Sequence, residues 1–92
     1  MKVLVSFEIS YDEYILVGII VKNPDDISKG FDKFISTFRE HLVKDVAQAA
    51  TLFVKQSRTA WICSNKTKVH QFEQYYYFTF DEEDKMWRYG TK

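Results

Sequence analysis

Along residues 2–10 apolar and polar side chains alternate. Val3, Val5, Phe7 and Ile9 fall on one side, Lys2, Leu4, Ser6 and Glu8 on the other. A period of two is that of a half-buried β-strand. Residues 13–22 predict a second strand that is apolar on both sides, Ile15, Val17, Ile19 and Val21 against Tyr14, Leu16 and Ile20. Gly18 inside it points to a close approach of another backbone. The short link at Tyr11-Asp12 makes the pair an antiparallel hairpin.

The period then changes. Asn23-Pro24-Asp25-Asp26 combines a capping side chain, a proline suited to a first turn and two acids at the positive end of a helix dipole. Ile27, Phe31, Phe34, Ile35, Phe38, Leu42 and Val46 follow at three- and four-residue spacing, which predicts one long helix with a single apolar stripe. Gly30 costs that helix roughly 1 kcal/mol relative to alanine, so it is expected where the helix crosses a strand closely. Residues 45–50 continue the helix or break it. Residues 51–56 read as a helical end or a third strand, and the strand is favoured because Leu52, Phe53 and Val54 precede the turn-like Gln56-Ser57-Arg58-Thr59.

Residues 59–64 read as a further strand, 65–68 as a turn, and 69–80, VHQFEQYYYFTF, as a long aromatic strand. Rings favour a pleated surface over a helix. Alternation puts His70, Phe72, Gln74, Tyr76, Phe78 and Phe80 on a core side and Val69, Gln71, Glu73, Tyr75, Tyr77 and Thr79 on the other. Asp81-Glu82-Glu83-Asp84 is a polar turn before a last strand over 85–89. The order is ββα followed by three or four strands. This predicts an α+β, two-layer domain over 1–92, with a mostly antiparallel sheet and one long helix packed on one face.

A single helix covers a single face. The second strand and the aromatic strand carry large side chains on the uncovered side as well, and at ~25 cal/mol per Å2 leaving them wet forgoes several kcal/mol. The expectation is that something covers this face: the sheet closing on itself as a partial barrel, a second copy of the chain, or another protein. Tyr75 and Tyr77, with Trp61, Trp87 and Tyr89, are the expected contact residues, since Tyr and Trp dominate binding hot spots.

Charge narrows the partner class. Thirteen bases balance thirteen acids. The first 26 residues hold two bases against five acids, residues 27–70 eight against three, and 71–92 three against five. Such a balance does not resemble a dedicated nucleic-acid binder. The alternative of single-stranded nucleic-acid binding rests on the basic region 55–68, with Lys55, Arg58, Lys66 and Lys68 near Trp61. Plentiful Phe, Tyr, Ile, Lys and Asp beside one proline and three glycines is a bias of AT-rich coding, seen in small proteins of phages and several bacterial groups; it points to no family.

Candidate chemistry is sparse. Cys63 is the only cysteine, so no internal disulfide forms, and its apolar setting in Ala-Trp-Ile-Cys-Ser reads as structural. His41 and His70 are far apart and no metal-ligand spacing occurs, so no metal or cofactor is expected. The acidic run lacks the alternating ligands and glycine of a calcium loop. Glu8 interrupts the first apolar run too early for a signal sequence, and residues 14–21 are too few to cross a membrane. The expectation is a cytoplasmic, non-enzymatic interaction protein that binds another protein as an inhibitor or regulator, or pairs with itself as a homodimer.

Overall fold

A computed structural model of the chain describes all residues except Tyr11 and Asn65. The link expected at Tyr11-Asp12 and the turn expected over 65–68 therefore lie partly outside the described residues. The fold is α+β. Strands β1 (Lys2–Glu8) and β2 (Tyr14–Ile20) form the expected antiparallel hairpin, pairing Lys2 with Ile20 and Glu8 with Tyr14. A 3-10 turn, Pro24–Asp26, leads into helix α1 (Ile27–Glu40), with Asn23 Oδ1 accepting from the Asp25 amide at 3.1 Å.

The stripe does not run on to Val46. Helix α1 ends in a Schellman motif. The Val43 amide donates to the Phe38 carbonyl at 2.8 Å, the Leu42 amide to the Arg39 carbonyl at 3.2 Å, and Leu42 takes a left-handed φ of 54°. Phe38 and Val43 bury together as the motif's apolar pair, while Leu42 is 80% exposed. The chain then turns into a second helix, α2 (Val46–Gln56), which replaces the strand expected over 51–56. Asp45 caps it, Oδ1 accepting from the Ala47 and Gln48 amides at 2.7 and 3.3 Å. Val46, Ala49, Ala50 and Phe53 are its buried positions, spaced three, four and seven apart, a helical stripe that the Leu-Phe-Val triplet obscures.

Strands β3 (Ala60–Ile62), β4 (Gln74–Asp81) and β5 (Met86–Thr91) complete a five-stranded sheet in the order β3-β2-β1-β4-β5. All neighbours are antiparallel except β1 and β4, which are parallel. β1 is thus central and buried on both sides, not half-buried: Leu4 and Ser6 are as hidden as Val3, Val5 and Phe7. Helix rings meet the sheet on the side of Phe7, Tyr76, Phe78, Trp87 and Tyr89. Phe38 contacts Phe7, Phe78 and Trp87; Phe53 contacts Phe7 and Phe78; Phe31 contacts Tyr76, Phe78 and Tyr89. Gly30 is not at a helix–strand crossing, since a Cβ placed there would find nothing within 4 Å. Among the described residues no helix is long and apolar enough to cross a membrane.

Candidate functional site

The sheet face turned away from the helices is formed by the even residues of β1 and β2 and the odd residues of β4. β3 and β4 are parallel to one another and lie on opposite sides of the β2–β1 pair, so the chain between them must cross the sheet. It crosses on this far side. Phe72, expected on the core side of the aromatic strand, instead lies on the far side, stacked on Trp61 at 6.2 Å between centroids, and is 6% exposed. The reason is local: Val69–Gln71 forms a 3-10 turn and the strand begins only at Gln74, so the alternation expected from 69 onwards does not hold there.

That crossing closes one end of the far face. The Trp61 indole rests on Gly18, where an added Cβ would fall 2.4 Å from the ring. The close approach expected at Gly18 is therefore that of a side chain rather than a backbone. Lys2 Nζ stands 5.2 Å from the Phe72 ring centre and 6.0 Å from that of Trp61, a cation–π contact with both. The Glu73 side chain accepts from the Lys2 amide at 2.8 Å and the Glu73 amide donates to the Lys2 carbonyl at 2.8 Å, pinning the crossing to β1.

A second tie lies at Lys92. Its Nζ is 3.6 Å from Glu8 Oε1 and 5.8 Å from the centre of the Tyr14 ring. Tyr77 lies over Gly90, whose absent Cβ would meet the phenol ring at 2.9 Å. Tyr75 donates its hydroxyl to the Val69 carbonyl at 2.9 Å, holding the 3-10 turn above the sheet.

Between these ties the face stays open. A cavity of about 240 Å3 is floored by Leu4 and Ser6 and walled by Tyr14, Leu16, Val69 and Tyr75. Its neighbour, of about 440 Å3, shares Tyr14, Leu16 and Val69 and extends to Cys63 and Thr67. Tyr14 is 53% exposed and Val69 43%. The far face is therefore covered in part by the chain itself and open in part. The chain roofs one part of it and leaves an apolar stretch flanked by the Lys92–Glu8 ion pair and polar loops.

Of the expected contact residues, Tyr75 and Tyr77 sit half-buried on this face, with Trp61 at its closed end. Trp87 and Tyr89 do not join them. Trp87 is 5% exposed on the helix side, with its indole N–H donating to the Val43 carbonyl at 2.8 Å, so its side chain belongs to the core. Tyr89 packs on Phe31 and donates its hydroxyl to Asp32 Oδ1 at 2.8 Å. Burial, and then the bond to Asp32, push its phenol above the usual tyrosine range. Tyr14 and Val69, which line both cavities, were not among the expected contact residues. Tyr14 opens a strand whose pattern was legible, but Val69 reaches the site only through the crossing.

Cys63 borders the larger cavity half-buried, and desolvation pushes its thiol up despite a hydrogen bond with Thr67. It is thus held as the thiol, away from the reactive thiolate. Among the described residues no three or more His, Cys, Asp or Glu side chains gather as a metal-binding group. Compared with protein families, curated proteins and solved structures, the chain gives no significant match.

Proposed function

We propose that this chain is a small protein-binding module whose partner docks on the open stretch of the far face, with Tyr14, Val69 and Tyr75 at its centre and Tyr77 on its rim. In this reading it acts by occupancy, as an inhibitor or regulator does, and not by catalysis. The observation that carries it is the contrast between the two sides of one sheet. The helix side is filled with interlocking rings, whereas on the far side Tyr14 and Val69 remain 53% and 43% exposed around an apolar cavity. A tyrosine beside an apolar hollow suits a partner's aliphatic or aromatic anchor, because large rigid rings give contact area at low entropic cost.

Single-stranded nucleic acid is less well served. Trp61, the ring nearest the basic region, is already engaged by Gly18, Phe72 and Lys2. Retention of single-stranded DNA or RNA by filter binding at low salt would favour that alternative.

The test compares capture from an extract of the native host by the wild type, Val69→Asp and Tyr14→Ser, both changes at exposed positions. A partner held by the wild type and weakened about tenfold or more in both variants, the effect of losing ~1.4 kcal/mol, supports the proposal, provided their thermal unfolding is unchanged. Equal capture by all three proteins overturns it.

A further inference from the structure

We infer that the outer edge of β5 is a self-pairing surface, through which two copies of this chain join their sheets about a dyad at Tyr89. The argument begins with which backbone groups are already used. The Val21 amide donates to the Met1 carbonyl, the Met1 amino group to the Val21 carbonyl and the Ile9 amide to the Glu13 carbonyl, so the odd residues of β1 face β2. Its even residues then face β4, and in this parallel pair their partners are the even residues of β4. The odd residues of β4 are left for β5. The bond from the Lys92 amide to the Tyr75 carbonyl, at 3.0 Å, agrees. On β5 itself, Met86, Arg88 and Gly90 are therefore bonded inward, and the amides and carbonyls of Trp87, Tyr89 and Thr91 point away from the sheet.

That row is open and unguarded. Edge strands are normally blunted by proline, lysine, bulges or extreme shortness. Residues 86–91 contain no proline or lysine and pair with β4 without a bulge. The one cation, Arg88, is drawn back into the preceding turn by Asp81 at 3.1 Å and Asp84 at 2.6 Å. The opposite edge, β3, is only three residues long, and the same alternation leaves just Ala60 and Ile62 facing outward.

The occupant is a second copy because the strand is its own complement. Antiparallel pairing keeps the two faces in register only if residues of like parity stand opposite one another. With Tyr89 opposite Tyr89 of the second copy, Trp87 stands opposite Thr91, and every outward amide meets an outward carbonyl. Shifting the dyad to Trp87 or Thr91 strands part of the row. The same register sets Arg88 opposite Gly90, so the cation faces an empty position and not its own image. With thirteen charges of each sign, the chain has no net charge to oppose self-approach.

The test is light scattering on a sizing column across concentration, for the wild type, Thr91→Pro and Thr91→Ala. Thr91 is exposed and its amide points outward, so proline removes a pairing donor without touching the bonds to β4. The expected result is a species of twice 11.0 kDa that grows with concentration in the wild type and Thr91→Ala. In Thr91→Pro its association constant falls at least tenfold. In the wild type, amide exchange at Trp87, Tyr89 and Thr91 slows as concentration rises while that at Ala60 and Ile62 does not. A wild type monomeric at high concentration overturns the proposal, as does a dimer that survives Thr91→Pro, or one that forms without slowing those three amides. The last measurement stands even if the proline variant does not fold. Capture of a different protein through Val69 is unaffected by any of these outcomes, so the two surfaces are tested apart.

Discussion

Leu42 and Gly30 hold each other's natural places. Leu42 adopts φ 54° at the end of α1, a conformation that costs an L-residue roughly 1–2 kcal/mol. Its side chain is 80% exposed, so little burial offsets that cost. Gly30 lies inside the same helix with nothing within 4 Å of where a methyl would stand. We expect Leu42→Gly and Gly30→Ala each to stabilise the fold by about 0.5–1 kcal/mol, read as a higher urea midpoint with an unchanged slope. Neither position was legible in that sense from the sequence. A glycine in a helical run signals a close contact as readily as an empty space, and Leu42 fits the apolar stripe by spacing alone. Gly18 was legible in kind, as a site of close approach, but only the pairing of β2 with β3 identifies the Trp61 ring as what approaches it.

At the scale of elements, the Asp81 carboxylate ties together both sides of the β4–β5 turn. Asp81 Oδ1 accepts from the Glu83 and Asp84 amides at 3.0 and 3.1 Å, and Oδ2 from Arg88 Nε at 3.1 Å. The Asp84 amide, and then the Arg88 guanidinium, hold the Asp81 carboxyl below its usual range. A folded value below the unfolded one contributes stability above the ordinary carboxylate value, about 3.9. That contribution fades as pH falls through the lowered value. We therefore expect the wild type to exceed Asp81→Asn in urea midpoint by a constant margin above about pH 5, and the margin to close in more acid solution. The acidic run was legible as a turn because four consecutive acids favour solvent. Helix α1 was legible from its cap and stripe. Helix α2 was not, although Asp45 followed by alanines is a helix start; the β-like triplet Leu52-Phe53-Val54 outweighed it in a short window.

On the scale of the molecule, Trp87 joins the sheet to the link between the two helices. Its N–H donation to the Val43 carbonyl is the buried hydrogen bond that fastens β5 to residues 41–45. Trp87→Phe keeps an aromatic ring but leaves that carbonyl without its donor, and we expect a loss of about 1–3 kcal/mol, measured by urea unfolding with the Thr91→Ala protein as a neutral comparison. Trp87 was expected as a contact residue because its strand was assigned without a face. Strand order decides such matters, and no local pattern carries it. The same gap hid the crossing between β3 and β4, and with it the partial roof over Leu4 and Ser6. That crossing has a topological consequence. The strap between β3 and β4 lets β4 pair with a strand about 70 residues earlier, Val3 with Gln74, so the parallel pair closes the longest loop in the sheet and carries its largest closure cost. A cut between Lys66 and Thr67 would release this strap from its anchor at one end, freeing Val69 to swing off the Tyr75 hydroxyl while the helices stay packed on their own side.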